Sequence, residues 1–89
     1  MKAVVTVVGK DRVGIIASVC TALAGFDVNV LDINQTVMQG YFTMMMVVDA
    51  EKCTLPVVQL AEKMERKGTE LGLQIHVQRE DIFNAMHRL

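Results

Sequence analysis

Residues 3–14 read AVVTVVGKDRVG, a run of β-branched residues that stops at a glycine and a charged triplet. In the first six residues, Ala3 to Val8, apolar side chains fall on both faces of a strand rather than on one face only. A strand of this composition is covered on both faces, so we expect it to lie in the centre of a sheet. After Gly9 the chain changes to a helical repeat, which predicts a loop between this strand and a helix.

The segment after this loop predicts an amphipathic helix. Its apolar residues recur at helical spacing and form one stripe: Ile16, Val19, Cys20 and Leu23. Asp11 is the better N-cap by chemistry, because its carboxylate accepts hydrogen bonds from the free N–H groups of the first turn. Gly25 is predicted to end the helix in a left-handed conformation.

The middle of the chain predicts a β-hairpin. Residues 28–37 alternate apolar and polar side chains, whereas residues 41–48 (YFTMMMVV) are again apolar on both faces. Between these two strands lies the Gln39–Gly40 turn, in which Gly40 supplies a positive φ. The Met44–Met46 run sends its side chains to opposite faces, which favours packing in the core over copper binding.

The last third of the chain predicts a helix, a strand and a tail. Thr54 is the expected cap of the helix, Pro56 lies in its first turn, and Gly72 ends it. Its buried stripe contains Val57, Leu60, Ala61, Met64, Gly68 and Leu71. Residues 73–78 form an alternating strand, and residues 81–89 form an amphipathic tail. The apolar side of that tail consists of Ile82, Phe83, Met86 and Leu89.

This element order, β-α-β-β-α-β, predicts the ferredoxin-like fold of the α/β class, an α+β sandwich. It contains a four-stranded antiparallel sheet with two helices on one face, followed here by a short C-terminal helix. Its first and third strands are central and its second and fourth are edges, which agrees with the apolar patterns. We expect residues 1–89 to form a single domain. The uncovered sheet face and edge predict a homodimer or a higher homo-oligomer.

Composition narrows the class of protein further. The chain is 52% hydrophobic and 21% charged with a net charge of −1, which excludes disorder and gives no field that attracts nucleic acid. No apolar stretch reaches the length of a membrane span and no signal peptide is evident, so we expect a cytoplasmic protein with no membrane partner. Cys20 and Cys53 lack motif spacing, which predicts free thiols. Neither a metal nor a cofactor is expected.

Two other functions of this fold find little support in the residues present. RNA recognition needs aromatic residues on both central strands, and the first strand has none. A soft-metal carrier needs paired cysteines in the first loop, whereas residues 9–12 read GKDR.

An acylphosphatase-like hydrolase is the enzymatic alternative. Arg12 lies in the loop where such an enzyme would hold phosphate, and Asn29 or Asn34 would position water. One cation without an accompanying nucleophile or base is a weak catalytic site. His76 and His87 are interpreted as surface residues. We therefore expect that the chain is not an enzyme.

The loop that precedes the first helix is the best candidate for a binding site. Backbone N–H groups at a helix start form an anion cradle, and Gly14 allows a ligand to approach closely. Asn29 offers both a hydrogen-bond donor and an acceptor. Together these groups would suit the carboxylate and ammonium of an amino acid. The alternative is that Asp11 caps its helix, Gly14 packs on the sheet, and Asn29 pairs with backbone.

The motif VVTVVGKDRVG at residues 4–14, followed by Ile15-Ile16-Ala17, resembles the opening of ACT domains. The segments 25–30 (GFDVNV) and 33–35 (INQ) are similar to the second strand of those domains. The similarity covers nearly the whole chain, and it is strongest to small stand-alone ACT proteins related to the regulator of the glycine-cleavage system. It implies a non-enzymatic regulatory module that binds an amino acid or similar effector at a dimer interface and regulates a separate partner.

The resemblance also implies which residues contact the ligand. They are Gly9, Asp11, Val13 and Gly14 in the loop of one copy, and Asn29 with Val30 on the second strand of its neighbour. Serine-binding members tend to carry an amide at the position of Asp11, where a carboxylate would favour an ammonium group or a cation. Two alternatives remain, a ligand-free protein-interaction or oligomerisation domain and the small hydrolase.

Overall fold

A computed structural model of the protein describes residues 1–86. The elements are β1 (Lys2–Lys10), α1 (Ile15–Gly25), β2 (Asn29–Met38), β3 (Tyr41–Asp49), α2 (Val57–Leu71), β4 (Gln74–Arg79) and α3 (Glu80–Met86). The four strands form one antiparallel sheet in the order β2-β3-β1-β4. The predicted ferredoxin-like fold is confirmed, with β1 and β3 in the centre and β2 and β4 at the edges.

The hydrophobic core lies between the sheet and the helices α1 and α2. The central strands contribute alternate residues to it, among them Val5 and Val7 from β1 and Met44 and Met46 from β3. Met45 lies on the opposite face and is 43% exposed, which confirms that the methionine run alternates between the two faces. The helices contribute buried stripes: Ile15, Val19 and Leu23 from α1, and Leu60, Met64 and Gly68 from α2. Among the described residues the core contains no buried polar or charged residue.

The start of α1 differs from the prediction. The N-cap is Gly14, whose φ of 90° lies in the left-handed region, and no side chain caps this helix. Asp11 lies too far before the first turn to cap it, and its backbone N–H instead donates a 2.8 Å hydrogen bond to the Gly40 carbonyl. The prediction that Asp11 is the N-cap is therefore wrong, because the backbone conformation of Gly14, and not a side-chain acceptor, starts the helix. Glycine suits that position since other side chains are strained at positive φ.

Two further helix ends differ from the prediction: Gly25 ends α1 as expected but not in a left-handed conformation, and Thr54 does not cap α2. Gly25 is the last residue of α1, and the left-handed residue beyond it is Asp27, with a φ of 59°. Helix α2 begins at Val57, and its N-cap is Pro56, with no side-chain hydrogen bond from Thr54. The fixed φ of proline prepares this helix start without a capping side chain.

The β2–β3 hairpin follows the prediction at its turn and departs from it inside β2. Gln39 and Gly40 both have positive φ, 51° and 81°, as in a type I′ turn. The pairing register shifts between Val30 and Asp32, so Leu31 sits at a β-bulge. The predicted simple alternation of Leu31 with its neighbours is therefore broken. Beyond the bulge, Ile33 pairs with a core residue of β3 and faces the helix side.

The C-terminal segment folds as α3 and contacts β1 and β4. Phe83 is half-buried and lines one cavity with Thr6 and His76 of the sheet and with Ala61 and Glu65 of α2. Ile82, on the same apolar side of the segment, is 47% exposed within one chain. The side chains of Met86 and Leu89 lie outside the described part of the protein, as does His87. Within residues 1–86, no helix is long and apolar enough to cross a membrane.

Gly68 allows α2 to pack closely on β4. A Cβ atom at this position would lie 2.8 Å from the Leu73 carbonyl oxygen and 2.9 Å from Ile75 Cγ1. Gly68→Ala should therefore lower the free energy of unfolding by about 1–3 kcal/mol, because steric strain outweighs the better helix propensity of alanine. Urea denaturation measures this change.

The matched control is Gly25→Ala in α1. A Cβ atom at Gly25 would meet nothing within 4 Å, and its φ lies outside the left-handed region. This variant should keep or slightly raise the stability of the parent. Equal destabilisation by both substitutions would contradict the packing account.

Candidate functional site

The loop between β1 and α1 lies at the sheet end where Lys10 pairs with Tyr41. Two contacts hold it. The Asp11 N–H bonds to the hairpin through the Gly40 carbonyl, and the Arg12 guanidinium donates to the carbonyl of Leu71, the last residue of α2. A cation at a helix C-terminus is stabilised by the carbonyls that have no partner inside the helix. The loop is thus fixed between the hairpin and the end of α2.

A groove of about 700 Å³ opens beside this loop. Residues from the loop, the first turn of α1, the distal half of β2, and the start of β3 line it. They are Asp11, Arg12, Gly14, Ile15, Ile16, Ala17, Gln35, Val37 and Phe42. Because α1 has no side-chain cap, the N–H groups of its first turn are left for water or a ligand. The groove therefore combines a carboxylate, an amide, a helix N-terminus and an apolar wall.

The structure separates the predicted loop residues into two groups. Asp11 and Gly14 line the groove. Gly9 and Val13 do not: Val13 is 98% exposed, and a Cβ atom on Gly9 would lie 2.5 Å from a Leu73 methyl carbon. A side chain at position 9 would therefore displace the end of the Leu73 side chain, and the contact of Gly9 with a ligand stays a prediction.

Asn29 and Val30 lie at the other end of the sheet. Asn29 pairs with Asp49, which pairs with Lys2, whereas the loop follows Lys10. Strand β2 has ten residues, so its two ends are about 30 Å apart. One chain therefore does not bring Asn29 to the groove, and only a second copy can do so.

A smaller cavity of about 400 Å³ surrounds Asn29, and most of its charged residues are acidic. Among them, Asp49 accepts a hydrogen bond from the Glu51 N–H at 2.9 Å. Its carboxylate also lies 3.4 Å from the terminal ammonium of Met1. The pKa of Asp49 lies below its usual value. The main cause is the Glu51 hydrogen bond, and the terminal ammonium is a smaller one.

Gln35 is a polar groove residue that the sequence analysis did not identify, and the apolar lining residues of the groove were not predicted either. It lies on the helix side of β2, as Ile33 and Val37 do, because these residues pair with the core residues of β3. The sequence did contain one signal: Gln35 alternates in phase with Ile33 and Val37, which predicts that its amide lies on the same face as their apolar side chains. That it faces the loop depends on how far α1 extends over β2, which periodicity does not reveal.

Comparison with known proteins defines the class. A sequence profile for the ACT domain matches residues 2–78, and the chain belongs to this family of regulatory small-ligand-binding modules. A UPF0237 protein of Listeria innocua is 51% identical over 89 residues, which is 100% of both chains. A UPF0237 protein of Methanosarcina acetivorans is 44% identical over 86 residues, covering 97% of this chain and 94% of the relative. The predicted resemblance is confirmed.

Solved structures agree with this assignment. An ACT domain protein from Streptococcus pneumoniae superimposes with a TM-score of 0.84 at 42% identity, covering 98% of each chain. A putative glycine cleavage system transcriptional repressor superimposes with a TM-score of 0.72 at 22% identity. That match covers 86% of this chain and 44% of the other. At that identity the second likeness concerns the fold.

The lowered pKa of Asp49 leads to a prediction about pH. The folded state binds the Asp49 proton less readily than the unfolded state does. This interaction therefore supports folding above the unfolded pKa, about 3.9, and is lost as the pH falls through the lower folded value. NMR titration of the carboxyl carbon should give a folded pKa below that of an unstructured peptide. Acetylation of the Met1 amine should raise it partway. A folded pKa at or above the peptide value would contradict the hydrogen-bond assignment.

Proposed function

We propose that the protein binds an amino acid or a similar small effector between two copies of the chain, and so regulates a separate partner protein. The observation that carries this proposal is the position of the groove. It opens at the bare edge strand β2, and Asn29 lies at the far end of that same edge.

The β2 edge is suited to pairing with another chain. Every residue of β2 except Val30 is exposed, and the exposed set includes large apolar side chains: Leu31, Ile33, Val37 and Met38. A long, partly apolar edge strand has backbone N–H and C=O groups with no partner, which favours addition of another strand. A second copy offers an identical edge, and a twofold axis pairs the two antiparallel.

Antiparallel pairing of two β2 strands would bring Asn29 of one copy close to the groove of the other. Because the second strand runs in the opposite direction, its Asn29 approaches the end of β2 at which Val37 and Met38 lie. That end borders the groove. Each dimer would contain two sites, each with the loop of one copy and the β2 start of the other. The same sites would be absent from a monomer.

The groups at such a site match an amino acid zwitterion. The N-terminal turn of α1 favours the carboxylate, and the carboxylate of Asp11 favours the ammonium group. The amide of Asn29 from the second copy would bond to either. The side chain of the effector would lie against Val37 and Phe42, which form part of the apolar wall.

A ligand-free oligomerisation domain is the second candidate, and the exposed β2 edge favours it equally. The two candidates differ in whether a small molecule changes the assembly. Effector binding at the interface must stabilise the dimer, because binding and association are then linked thermodynamically. A domain that only associates would show no such dependence.

Calorimetric titration with the twenty amino acids tests the proposal. We expect at least one to bind the parent, and to raise the dimer fraction in sedimentation. Asn29→Ala should weaken its affinity by about 1–3 kcal/mol, because a ligand group loses its partner. Asp11→Asn should change which amino acid is preferred with little change in stability, since Asp11 does not cap α1.

The control variant is Asn34→Ala, which removes the same amide from the same strand. Asn34 pairs with Met45 on the face away from the groove, so its loss should leave ligand affinity unchanged. The effector proposal fails if no amino acid binds the parent at millimolar concentration, or if both asparagine variants bind like the parent. Dimerisation without binding would favour the ligand-free domain.

A further inference from the structure

We infer that the groove between α1 and α2 is a docking site for an acidic helical segment of a partner protein. This groove lies on the outer side of the helix layer, and the proposal stands independently of the effector site. It rests on the charge, the shape and one glycine of the groove.

The groove is continuous along both helices. Two cavities of about 350 and 370 Å³ share Thr21, Ala22 and Lys67 as lining residues. Together they extend from Phe26, beyond the end of α1, to Leu71 at the end of α2. Along α1, residues 17–25 span about 12 Å at 1.5 Å per residue. The groove is therefore long enough for roughly two turns of a docked helix.

The net charge of the residues that line the groove is positive, and it comes from α2. Helix α1 contains no charged residue, whereas α2 contributes Lys63, Arg66 and Lys67, spaced to lie on one helix face. The acidic residue here, Glu70, pairs with Lys67 at 3.7 Å. Among the described residues, neither Lys63 nor Arg66 forms an ion pair. The lining thus carries a charge of +2 in a chain whose net charge is −1.

The floor of the groove is built from small residues. Thr21, Ala22 and Gly25 of α1 line it. Within residues 1–86, neither packing nor backbone conformation requires glycine at position 25, since a Cβ atom there would meet nothing within 4 Å and its φ lies outside the left-handed region. Glycine in a helix lowers stability relative to alanine. A surface approaching from outside the chain would explain it, because a glycine lets two backbones come close.

These features favour an acidic helix over two other occupants. A second copy that docked through this same face would bring the same positive groove and be repelled. Nucleic acid would require a longer run of phosphate contacts than three cations provide. A helix with glutamates on one side and small apolar residues on the other matches both the basic row and the neutral floor.

The probe for this inference is a synthetic helical peptide of about 16 residues, with glutamates along one side and alanines and leucines on the other. It is titrated into the full-length, ¹⁵N-labelled protein and followed by NMR. We expect shifted amide signals in residues 17–26 and 63–71. The double variant Lys63→Glu/Arg66→Glu should weaken binding by about tenfold or more, because two attractive charge contacts become repulsive.

The matched control is Lys2→Glu/Lys52→Glu, which makes the same change in net charge at exposed positions outside the groove. It should change the affinity by less than about twofold. Gly25→Leu adds bulk to the floor at a point where the chain leaves space. This variant should keep the parent's circular dichroism spectrum and melting temperature, and lose peptide binding.

Four outcomes of the peptide titrations would overturn the inference. They are no binding of the acidic peptide at millimolar concentration, equal binding of a peptide with glutamine in place of glutamate, shifted signals outside the groove, and undiminished binding by a folded Gly25→Leu variant. A single-stranded oligonucleotide of similar length serves as a competitor. If it bound the groove more tightly than the peptide, the groove would be a nucleic-acid site and the acidic-helix assignment would be wrong.

Discussion

The unpaired edge of β2 is the constraint on which the arrangement of this protein depends. The sheet order places β1 and β3 in the centre and leaves β2 outside, where nearly all of its ten residues are exposed. A chain of 89 residues has a modest core, and the distal half of β2 stays exposed beside α1. Ile33 and Val37 consequently remain exposed on the side where a core would continue. A second copy at this edge would extend the sheet and bury them.

The loop between β1 and α1 lies beside the end of this edge and forms part of the proposed effector site. Asp11 is joined to the hairpin turn through its backbone, and Arg12 reaches the last carbonyl of α2. A ligand in the groove would therefore contact a segment that is connected to both the sheet edge and the helix layer. Such a connection provides a physical route by which effector binding, dimer pairing and partner docking could influence one another.

Much of the fold was predictable because it depends on local composition. The stretches AVVTVV and YFTMMMVV are apolar on both faces, and only the central strands of a sheet provide such surroundings. Helix ends were less predictable. Asp11 and Thr54 have good capping side chains, yet Gly14 and Pro56 start the helices through backbone conformation. The bulge at Leu31 also leaves no periodic signal.

The candidate site was predictable only in part, for a related reason. The loop could be located because it follows a strand and precedes a helix, and the family resemblance added the start of β2. Gln35 was missed because its approach to the loop is a tertiary contact. The distance between Asn29 and the loop likewise emerged only from the strand register. Because of that distance, the predicted residues can form one site only if two chains contribute to it.

The most direct test of that claim is a mixing experiment with two binding-deficient variants. One carries Asp11→Lys in the loop, and the other carries Asn29→Ala on β2. At a ligand concentration near the parent's dissociation constant, each variant alone should bind much less of the parent's amino acid, because each lacks one part of both sites. After subunit exchange, half of the dimers are mixed and each holds one intact site, so binding should return to about a quarter of the parent's capacity. No recovery in a sample whose subunits have demonstrably exchanged would contradict a site shared between two copies.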